Sequence, residues 1–399
     1  MRQERVEHRI VMLGAGYTGM MAALQAARRT RRLGGRVTLV NPSSRFVERL
    51  RMHQLASGQR LRQVEIPSLL AGTGIDFVLG RATGLDPDAR LVRVGTAGWS
   101  TDIGYDTLVY AIGSRADTGR VPGADLHAHT LDDPDSAARL AARLAALSGS
   151  TDLDQPRTVL VCGAGLTGVE AATELAESHP GLRVVLVSRD VPAPMMGDRA
   201  RAYLLRALAR LGIQVRAGVE ICKVLPDGVE LAGGELIAAD ACLWTTGFAA
   251  APLAREAGLV VDDAGRIVVD PALRSVSHPD VLAIGDAAAV RQPFGVLHGT
   301  CQSGIPMAAY AAAAVRRALA GKPARPFRFG YVHQPVSLGR RDAVIQFTRP
   351  DDTPARWYLA GRVAVRYKEL VTSSPVPTFR LARHARIPAA LLIRPGLPR

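Results

Sequence analysis

Cysteine and long apolar runs are both scarce in this sequence. Its 399 residues contain four cysteines, and no two of them are close in the chain. The spacing of Cys162, Cys222, Cys242 and Cys301 predicts neither a redox dithiol nor an iron–sulfur or zinc site. No apolar run approaches the roughly 20 residues of a membrane-spanning helix, and the polar N-terminus does not resemble a signal peptide. We therefore expect a cytoplasmic protein without a metal site, which can also lie peripherally on the cytoplasmic membrane face.

Positive charge is plentiful, but it is not concentrated in one segment. The formal net charge is +14, and arginine, spread along the whole chain, supplies nearly all of it. We find no nucleic-acid motif with interleaved aromatic residues, so we expect a basic surface and no nucleic-acid partner. Such a surface attracts anionic phosphates or an anionic membrane.

The most informative stretch is a glycine-rich turn near the N-terminus. The apolar run of residues 10–13 predicts a buried strand, and Gly14, Gly16 and Gly19 follow it. In a strand–turn–helix unit, these glycines allow a tight turn, a close approach to a pyrophosphate and close packing of the helix on the strand. The helix N-terminus is itself an anion site. The predicted contacts of this turn are Gly14, Ala15, Gly16, Tyr17, Thr18 and Gly19. A second strand ends at Asn41, where ribose hydroxyls are usually bound.

The same pattern recurs after about 150 residues. The apolar run of residues 159–162 precedes Gly163, Gly165 and Gly168, and a strand over residues 183–187 follows. The predicted contacts of this second turn are Gly163, Gly165, Leu166, Thr167, Gly168, Ser188 and Arg189. An arginine directly after the second strand suits the 2′-phosphate of NADPH, so we expect NADPH to be slightly favoured over NADH, or both to be used.

Three further predicted strands end in glycine, and this pattern also occurs in both halves of the chain. The corresponding positions are Ala111 and Gly113, then Gly247, then Gly285 and Asp286. Asp286 precedes an alanine segment that we expect to continue as a helix, so it could be a plain helix cap or a ligand-facing aspartate. Repetition of the whole pattern predicts an α/β fold with two Rossmann-like dinucleotide-binding domains.

This combination of motifs resembles the two-dinucleotide-domain flavoprotein disulfide reductase superfamily, and within it the type II NADH dehydrogenases. The resemblance covers about residues 8 to 320 and implies FAD at the first glycine turn and NAD(P)H as substrate at the second. It implies an FAD domain of residues 1–120 and 255–320, interrupted by an NAD(P)H domain of residues 150–250. A smaller C-terminal region, residues 321–399, would serve dimerisation or contact with a membrane surface.

The resemblance also implies roles for single residues. Asp286 would hold the ribityl chain, the strand around Ala82 would pass the adenine, and Glu170 would lie near the nicotinamide and the flavin. Gln302 belongs to Thr300-Cys301-Gln302, which matches a segment beside the flavin and the quinone pocket. Pro306 replaces a second glutamine of that segment. The implied activity is hydride transfer from NAD(P)H to flavin N5 and on to an acceptor, for which a quinone is the first choice.

Other readings remain open from the sequence. The lack of a paired cysteine argues against reduction of glutathione, lipoamide or thioredoxin and disfavours sulfide oxidation, although Cys301 could be a lone redox thiol. A ferredoxin-type reductase could dock an iron–sulfur protein on a basic face. A flavoprotein that senses NAD(P)H without turnover is a third alternative. His53 could face a ligand or be a structural histidine.

Overall fold

The first of two parallel sheets is built around the strand that leads into the first glycine turn. The computed structural model describes residues 7–96, 98–149 and 156–385. The sheet contains five strands, all parallel, which follow one another in space as Ile75–Leu79, Gly35–Asn41, His8–Leu13, Thr107–Tyr110 and Val281–Ala283. Helix Tyr17–Thr30 follows the central strand and packs against helix Cys301–Leu319. The order, with the first strand in the middle, is that of a dinucleotide-binding sheet.

The second parallel sheet repeats this arrangement with four strands. They follow one another in space as Gln214–Ala217, Arg183–Ser188, Thr158–Cys162 and Ala241–Trp244. Every residue of its strand Thr158–Cys162 is buried, because helices pack on one face of this sheet and the antiparallel strands Ile221–Leu225 and Gly228–Leu231 pack on the other. The long helices of this half are Pro134–Ser148, Leu166–Ser178 and Asp198–Arg210.

Each half also carries a three-stranded antiparallel sheet. In the first half its strands are Arg81–Asp86, Leu91–Thr96 and Trp99–Gly104, and in the second half Ile221–Leu225, Gly228–Leu231 and Leu236–Ala238. The shorter strands are Arg45–Phe46, Val64–Glu65, Ser114–Arg115, Ala249–Ala250, Ile267–Val268, Ala288–Ala289, Arg291–Gln292 and Gly295–Val296. The shorter helices are Met52–Ala56, Ile66–Leu70, Ala124–His127 and Leu253–Glu256.

The C-terminal region packs on both halves. Its antiparallel strands are His333–Ser337, Ala343–Thr348 and Pro354–Ala360, followed by helices Gly361–Ser373 and Pro375–His384. Val336 and Val344 belong to the hydrophobic core of the second sheet. Phe379, in contrast, belongs to the core of the first sheet. Residues 386–399 of the predicted C-terminal region, and 1–6 of the predicted FAD domain, lie outside the described residues.

The predicted α/β class with two Rossmann-like units is confirmed. The prediction of a helix directly after Asp286 is wrong. The chain turns at Gly285, whose φ is +69°, and Ala288–Ala289 is extended and pairs with Ile267–Val268. The following helix begins only at Cys301, and the Thr300 side chain caps it by accepting from the Ser303 N–H. Around Asp286, only the single turn Gly285–Ala287 is helical, because Ala288 and Ala289 pair with the strand Ile267–Val268 instead.

Candidate functional site

The first glycine turn is shaped by close backbone contacts. Gly14 has a φ of +94°, and a Cβ added there would lie 2.5 Å from the carbonyl oxygen of Ala111. A Cβ on Gly19 would lie 1.9 Å from the Gly14 carbonyl oxygen. Around Gly16, in contrast, no atom lies within 4 Å of an added Cβ. Two of the glycines therefore allow packing within the protein, and Gly16 leaves open space beside the helix N-terminus.

That open space belongs to a large cavity. It has a volume of about 950 Å³, and both Ala15 and Gly16 line it. Five arginines contribute to its wall: Arg45, Arg49, Arg60, Arg62 and Arg81. Glu48, Asp132, Asp133 and Asp135 line it as well. Cavities that bind cofactors reach this size, and the arginines suit a phosphate-bearing ligand.

Asn41 lies in the wall of this cavity, but its amide is engaged with the protein backbone. Its Oδ1 accepts a hydrogen bond from the Ala15 N–H at 2.9 Å, and its Nδ2 donates to the Ser43 carbonyl at 2.8 Å. The side chain thus fixes the glycine turn to the loop after the second strand. Ala82 lies in the neighbouring strand Arg81–Asp86, of which Arg81 lines the cavity.

Asp286 lies where several loops of the first half meet. Its Oδ2 accepts from the Ser114 hydroxyl at 2.9 Å, one residue after Gly113, whose φ is +75°. A Cβ on Gly299 would lie 2.4 Å from Asp286 Oδ1, and one on Gly285 would lie 3.1 Å from the Thr18 hydroxyl. The carboxylate is therefore held close to the N-terminus of helix Cys301–Leu319.

Two sequence-predicted residues near this point have structural contacts of their own. The Tyr17 ring is buried and packs edge-on against Phe46, with centroids 5.2 Å apart. The Gln302 side chain donates to the His333 carbonyl at 2.9 Å and accepts from the Val332 N–H at 2.6 Å. Gln302 thus attaches the start of its helix to the C-terminal sheet, which the sequence did not indicate.

The second glycine turn has the geometry of the first. Gly163 has a φ of +108°, and a Cβ on Gly168 would lie 1.8 Å from the Gly163 carbonyl oxygen. Gly165 again faces open space, with no atom within 4 Å of an added Cβ. Leu166 and Thr167 open helix Leu166–Ser178. At the end of a neighbouring strand, Gly247 has a φ of +68°.

The end of strand Arg183–Ser188 carries both signs of charge. Arg189 and Asp190 are exposed, with their side chains 76% and 65% accessible, and they form a loose pair of 3.9 Å. The Ser188 hydroxyl donates to the Asp190 carbonyl at 2.5 Å. Sequence reasoning singled out Arg189 and overlooked Asp190, whose carboxylate lies two residues beyond the end of the strand.

Glu170 forms a buried ion pair with the C-terminal region. Its Oε1 lies 2.7 Å from Lys368 Nζ, and both side chains are little exposed. The same oxygen accepts from the Ser337 N–H at 2.9 Å and from its hydroxyl at 3.0 Å. Burial by itself raises the pKa of Glu170, but Lys368, His53 and the Ser337 N–H outweigh it and hold the pKa below its usual value.

A second buried carboxylate lies one helical turn further along. The Glu174 side chain is fully buried, accepts from Arg340 Nε at 2.9 Å and is also bonded by Gln59. Burial raises the pKa of Glu174 despite these partners. His53 Nε2 lies 3.9 Å from Glu174 Oε2, and burial lowers the pKa of His53 to about 4. Sequence reasoning singled out only His53 among these residues, because the members of the cluster are far apart in the chain.

Two of the cysteines, far apart in the sequence, meet inside the second sheet. The Sγ atoms of Cys162 and Cys242 lie 3.3 Å apart, and both thiols are free and buried in the hydrophobic core. Burial raises the pKa of Cys301 to about 12, which keeps this thiol protonated and unreactive. Cys301 therefore lacks the thiolate that a redox role requires.

The two glycine turns fit the groups that such turns bind. At Gly16 and at Gly165 the protein leaves free the position that a side chain would fill, and each adjoins a helix N-terminus. FAD fits the first position because the large cavity begins there, and NAD(P)H fits the second. When bound, the flavin would accept hydride from the nicotinamide, and the chain would bind and orient the two groups.

Comparisons with known proteins agree with this geometry. The family model described as pyridine nucleotide-disulphide oxidoreductase matches residues 2–315. The chain is 32% identical over 352 residues to NADH dehydrogenase-like protein Rv1812c of Mycobacterium tuberculosis, covering 84% of this chain and 87% of that protein. It is 28% identical to the type II NADH:quinone oxidoreductase NdhA of the same organism, covering 85% and 78%.

A solved structure shows the same fold over the full length. NDH2 of Plasmodium falciparum, in complex with NADH, superimposes with a TM-score of 0.79, covering 97% of this chain and 100% of that chain at 14% identity. The resemblance drawn from the motifs is thereby confirmed. The chain belongs to the pyridine nucleotide-disulphide oxidoreductase family and is an FAD-dependent NAD(P)H oxidoreductase.

Proposed function

We propose that this oxidoreductase passes electrons from NAD(P)H through FAD to a quinone. The observation that carries the proposal is the Glu170–Lys368 pair, in which an ammonium group is held out of water beside the helix of the NAD(P)H turn. A quinone takes up two electrons and two protons, so its reduction requires a proton donor in the site. The relatives that are named as quinone reductases support the same acceptor.

We assign the predicted site residues within this proposal. The first glycine turn, with Ala111, Gly113, Gly285 and Asp286, would bind FAD, and Asn41 would fix the turn. The second turn, with Gly247, Ser188 and Arg189, would bind NAD(P)H. Glu170 would orient Lys368 toward the reacting groups. Gln302 would hold the C-terminal sheet against the flavin side of the site.

The test measures steady-state oxidation of NADH and of NADPH with three acceptors in separate assays. The acceptors are menadione, a short-chain ubiquinone and a ferredoxin, whose reduced form is detected directly. We expect quinone-dependent turnover and only slow reduction of ferredoxin. Rapid ferredoxin reduction without quinone activity would replace this proposal with the ferredoxin reductase. Flavin reduction without turnover on any acceptor would favour the NAD(P)H-sensing flavoprotein.

Helix Gly361–Ser373 exposes apolar and basic side chains that suit a membrane surface, where quinones are dissolved. No helix among residues 7–96, 98–149 and 156–385 is long and apolar enough to cross a bilayer. Val363 and Leu370, seven residues apart on helix Gly361–Ser373, are 62% and 68% exposed, and Arg362 and Arg366 are exposed on the same helix. We propose that this helix lies on an anionic membrane surface.

The test is sedimentation of the protein with anionic vesicles. We expect the wild-type protein to sediment with them and a Val363→Asp/Leu370→Asp variant to remain in solution. Sedimentation that the two substitutions leave unchanged, or dimerisation through this face, would refute the proposal.

A further inference from the structure

A second, small cavity lies beside Lys368, the cationic member of the buried ion pair. Its volume is about 20 Å³, and His53, Ser337, Arg340, Lys368 and Glu369 are in its wall. A polar cavity of more than about 10–15 Å³ has room for one water molecule, provided that two or more polar groups can bond to it. This cavity meets both conditions.

His53 is the member of this wall that lacks a hydrogen bond. Its side chain is 5% exposed, and within the described part of the chain its Nε2 has no hydrogen-bond partner. Burial of a polar atom without a partner is unfavourable, so native proteins rarely keep one without a water or a function to match it. A water in the cavity would satisfy Nε2.

The groups that surround His53 come from four parts of the chain. Helix Leu166–Ser178 brings Glu170 and Glu174, and helix Gly361–Ser373 brings Lys368. Arg340 approaches from the loop after strand His333–Ser337, and Arg51 lies two residues before His53 in the chain. Burial and the three cations lower the pKa of His53, while Glu170 raises it. The imidazole is consequently neutral, and it can share a hydrogen bond with a water without carrying a charge.

The wall of the cavity contains one charged residue that is exposed to solvent and one that is buried. Glu369 is in its wall, is 51% exposed and is ion-paired with Arg51. Lys368, the next residue before it, is in the same wall but pairs inward with Glu170 and donates to the Pro335 carbonyl at 3.0 Å. A single water in this space would therefore join a surface carboxylate to the buried pair.

The chemistry of the proposed function, on which this inference rests, requires such a connection. The balance is NAD(P)H + H⁺ + quinone → NAD(P)⁺ + hydroquinone, so hydride supplies two electrons and one hydrogen, and the other proton comes from water. We propose that the small cavity holds a water that His53 orients toward Lys368: the Lys368 ammonium gives its proton to the quinone oxygen, the resulting amine takes a proton from the water, and the water recovers one from solvent beside Glu369. His53 is a positioning residue, because it acts through Lys368.

Stopped-flow kinetics on the FAD-loaded protein can separate the two halves of the reaction. Flavin reduction by NADH takes no proton from water, whereas reoxidation by menadione does. In His53→Gln and His53→Ala we expect reoxidation to slow at least tenfold with an increased solvent deuterium isotope effect, and flavin reduction to change less than twofold. Added imidazole should restore reoxidation in His53→Ala. The control variant His127→Gln changes an exposed histidine elsewhere and should leave both steps unaltered.

Equal slowing of both steps, or an unchanged isotope effect, would overturn the relay. A second readout does not depend on the acceptor: a crystal structure of the wild-type protein should show a water within hydrogen-bond distance of His53 Nε2 and Lys368 Nζ, and a dry cavity would refute the proposal. If the wild-type flavin is not reoxidised by any quinone while that water is present, the proposed acceptor is wrong and the water site stands.

Discussion

Glu170 and Lys368 form a 2.7 Å ion pair that joins the NAD(P)H-binding half to the C-terminal region. The carboxylate comes from the helix that starts at the second glycine turn, and the ammonium comes from helix Gly361–Ser373. Because both side chains are almost out of contact with water, neither charge has solvent as an alternative partner. Removal of either one leaves the other buried and uncompensated.

Replacement of Lys368 by Met should lower the free energy of unfolding by about 3 kcal/mol, the cost of leaving a buried charge unpaired. In the native protein the pKa of Glu170 is below its usual value of 4.5, so its contribution to stability is complete above that pH and is lost as the pH falls further. In Lys368→Met the pKa of Glu170 should rise above its value in the unfolded chain, so the loss of stability should be largest near pH 8 and should shrink as the pH falls and the carboxylate is protonated. Urea denaturation between pH 4 and 8 measures both effects.

Lys223→Met is the matched control, because Lys223 is exposed on a strand of the second antiparallel sheet. We expect it to change the free energy of unfolding by less than about 0.5 kcal/mol. Similar losses in the two variants would contradict the importance of the pair.

The glycine turns offer a second test, because their glycines have different surroundings. Gly16 has an extended backbone that alanine can adopt, and the space around it is open. Gly16→Ala should therefore fold normally but bind FAD at least tenfold more weakly, because the methyl group occupies the room of a phosphate. Gly19→Ala would place its Cβ against the Gly14 carbonyl, and this overpacking should cost about 1–3 kcal/mol of stability.

Flavin content after purification and thermal melting of the FAD-free proteins distinguish these outcomes. Gly165→Ala, in the second turn, should keep FAD and raise the KM for NADH. An unchanged flavin content in Gly16→Ala would show that the phosphates lie elsewhere.

The sequence was sufficient for the parts of the site that are local in the chain. Gly14, Gly16 and Gly19 lie within one turn, and the constraints on them come from the strand and helix that flank them. The same holds for Gly163, Gly165 and Gly168. A repeated local pattern therefore predicted both sheets and the class of ligand.

The contacts that the C-terminal region contributes could not be predicted in this way. Lys368, Ser337 and His333 meet Glu170 and Gln302 only through packing between distant segments, and nothing in their local sequence marks them. The extended segment after Asp286 was also missed, since alanine favours a helix. Pairing with Ile267–Val268 decided the structure there.

Cofactor preference should depend on Arg189 and Asp190 together. Arg189→Ala should raise the KM for NADPH about tenfold, the loss of one charge-assisted hydrogen bond, and change the KM for NADH less than twofold. Asp190→Ala should lower the KM for NADPH, because it removes a carboxylate that repels the 2′-phosphate. Steady-state kinetics with both coenzymes measure these effects, and equal changes for NADH and NADPH would refute the assignment.

His53 should make the protein sensitive to mild acid. The pKa of His53 falls from 6.5 to about 4 on folding, so the unfolded chain binds this proton more readily. Its stabilising effect is therefore complete above pH 6.5 and is lost as the pH falls toward 4, by about 3 kcal/mol in all. In His53→Gln the plot of unfolding free energy against pH should be flatter over this window. Parallel curves for variant and wild type would show that His53 titrates normally.

Gln302 should act mainly through the C-terminal sheet. Its side chain makes two hydrogen bonds to the backbone of Val332 and His333, and Gln302→Leu leaves both backbone groups without that partner. We expect a loss of about 1–3 kcal/mol in stability and faster amide exchange in strand His333–Ser337, with NADH-dependent flavin reduction largely retained. The control Gln214→Leu changes an exposed residue at the edge of the second sheet. If Gln302→Leu abolished flavin reduction without changing amide exchange, the residue would contact the reacting groups directly.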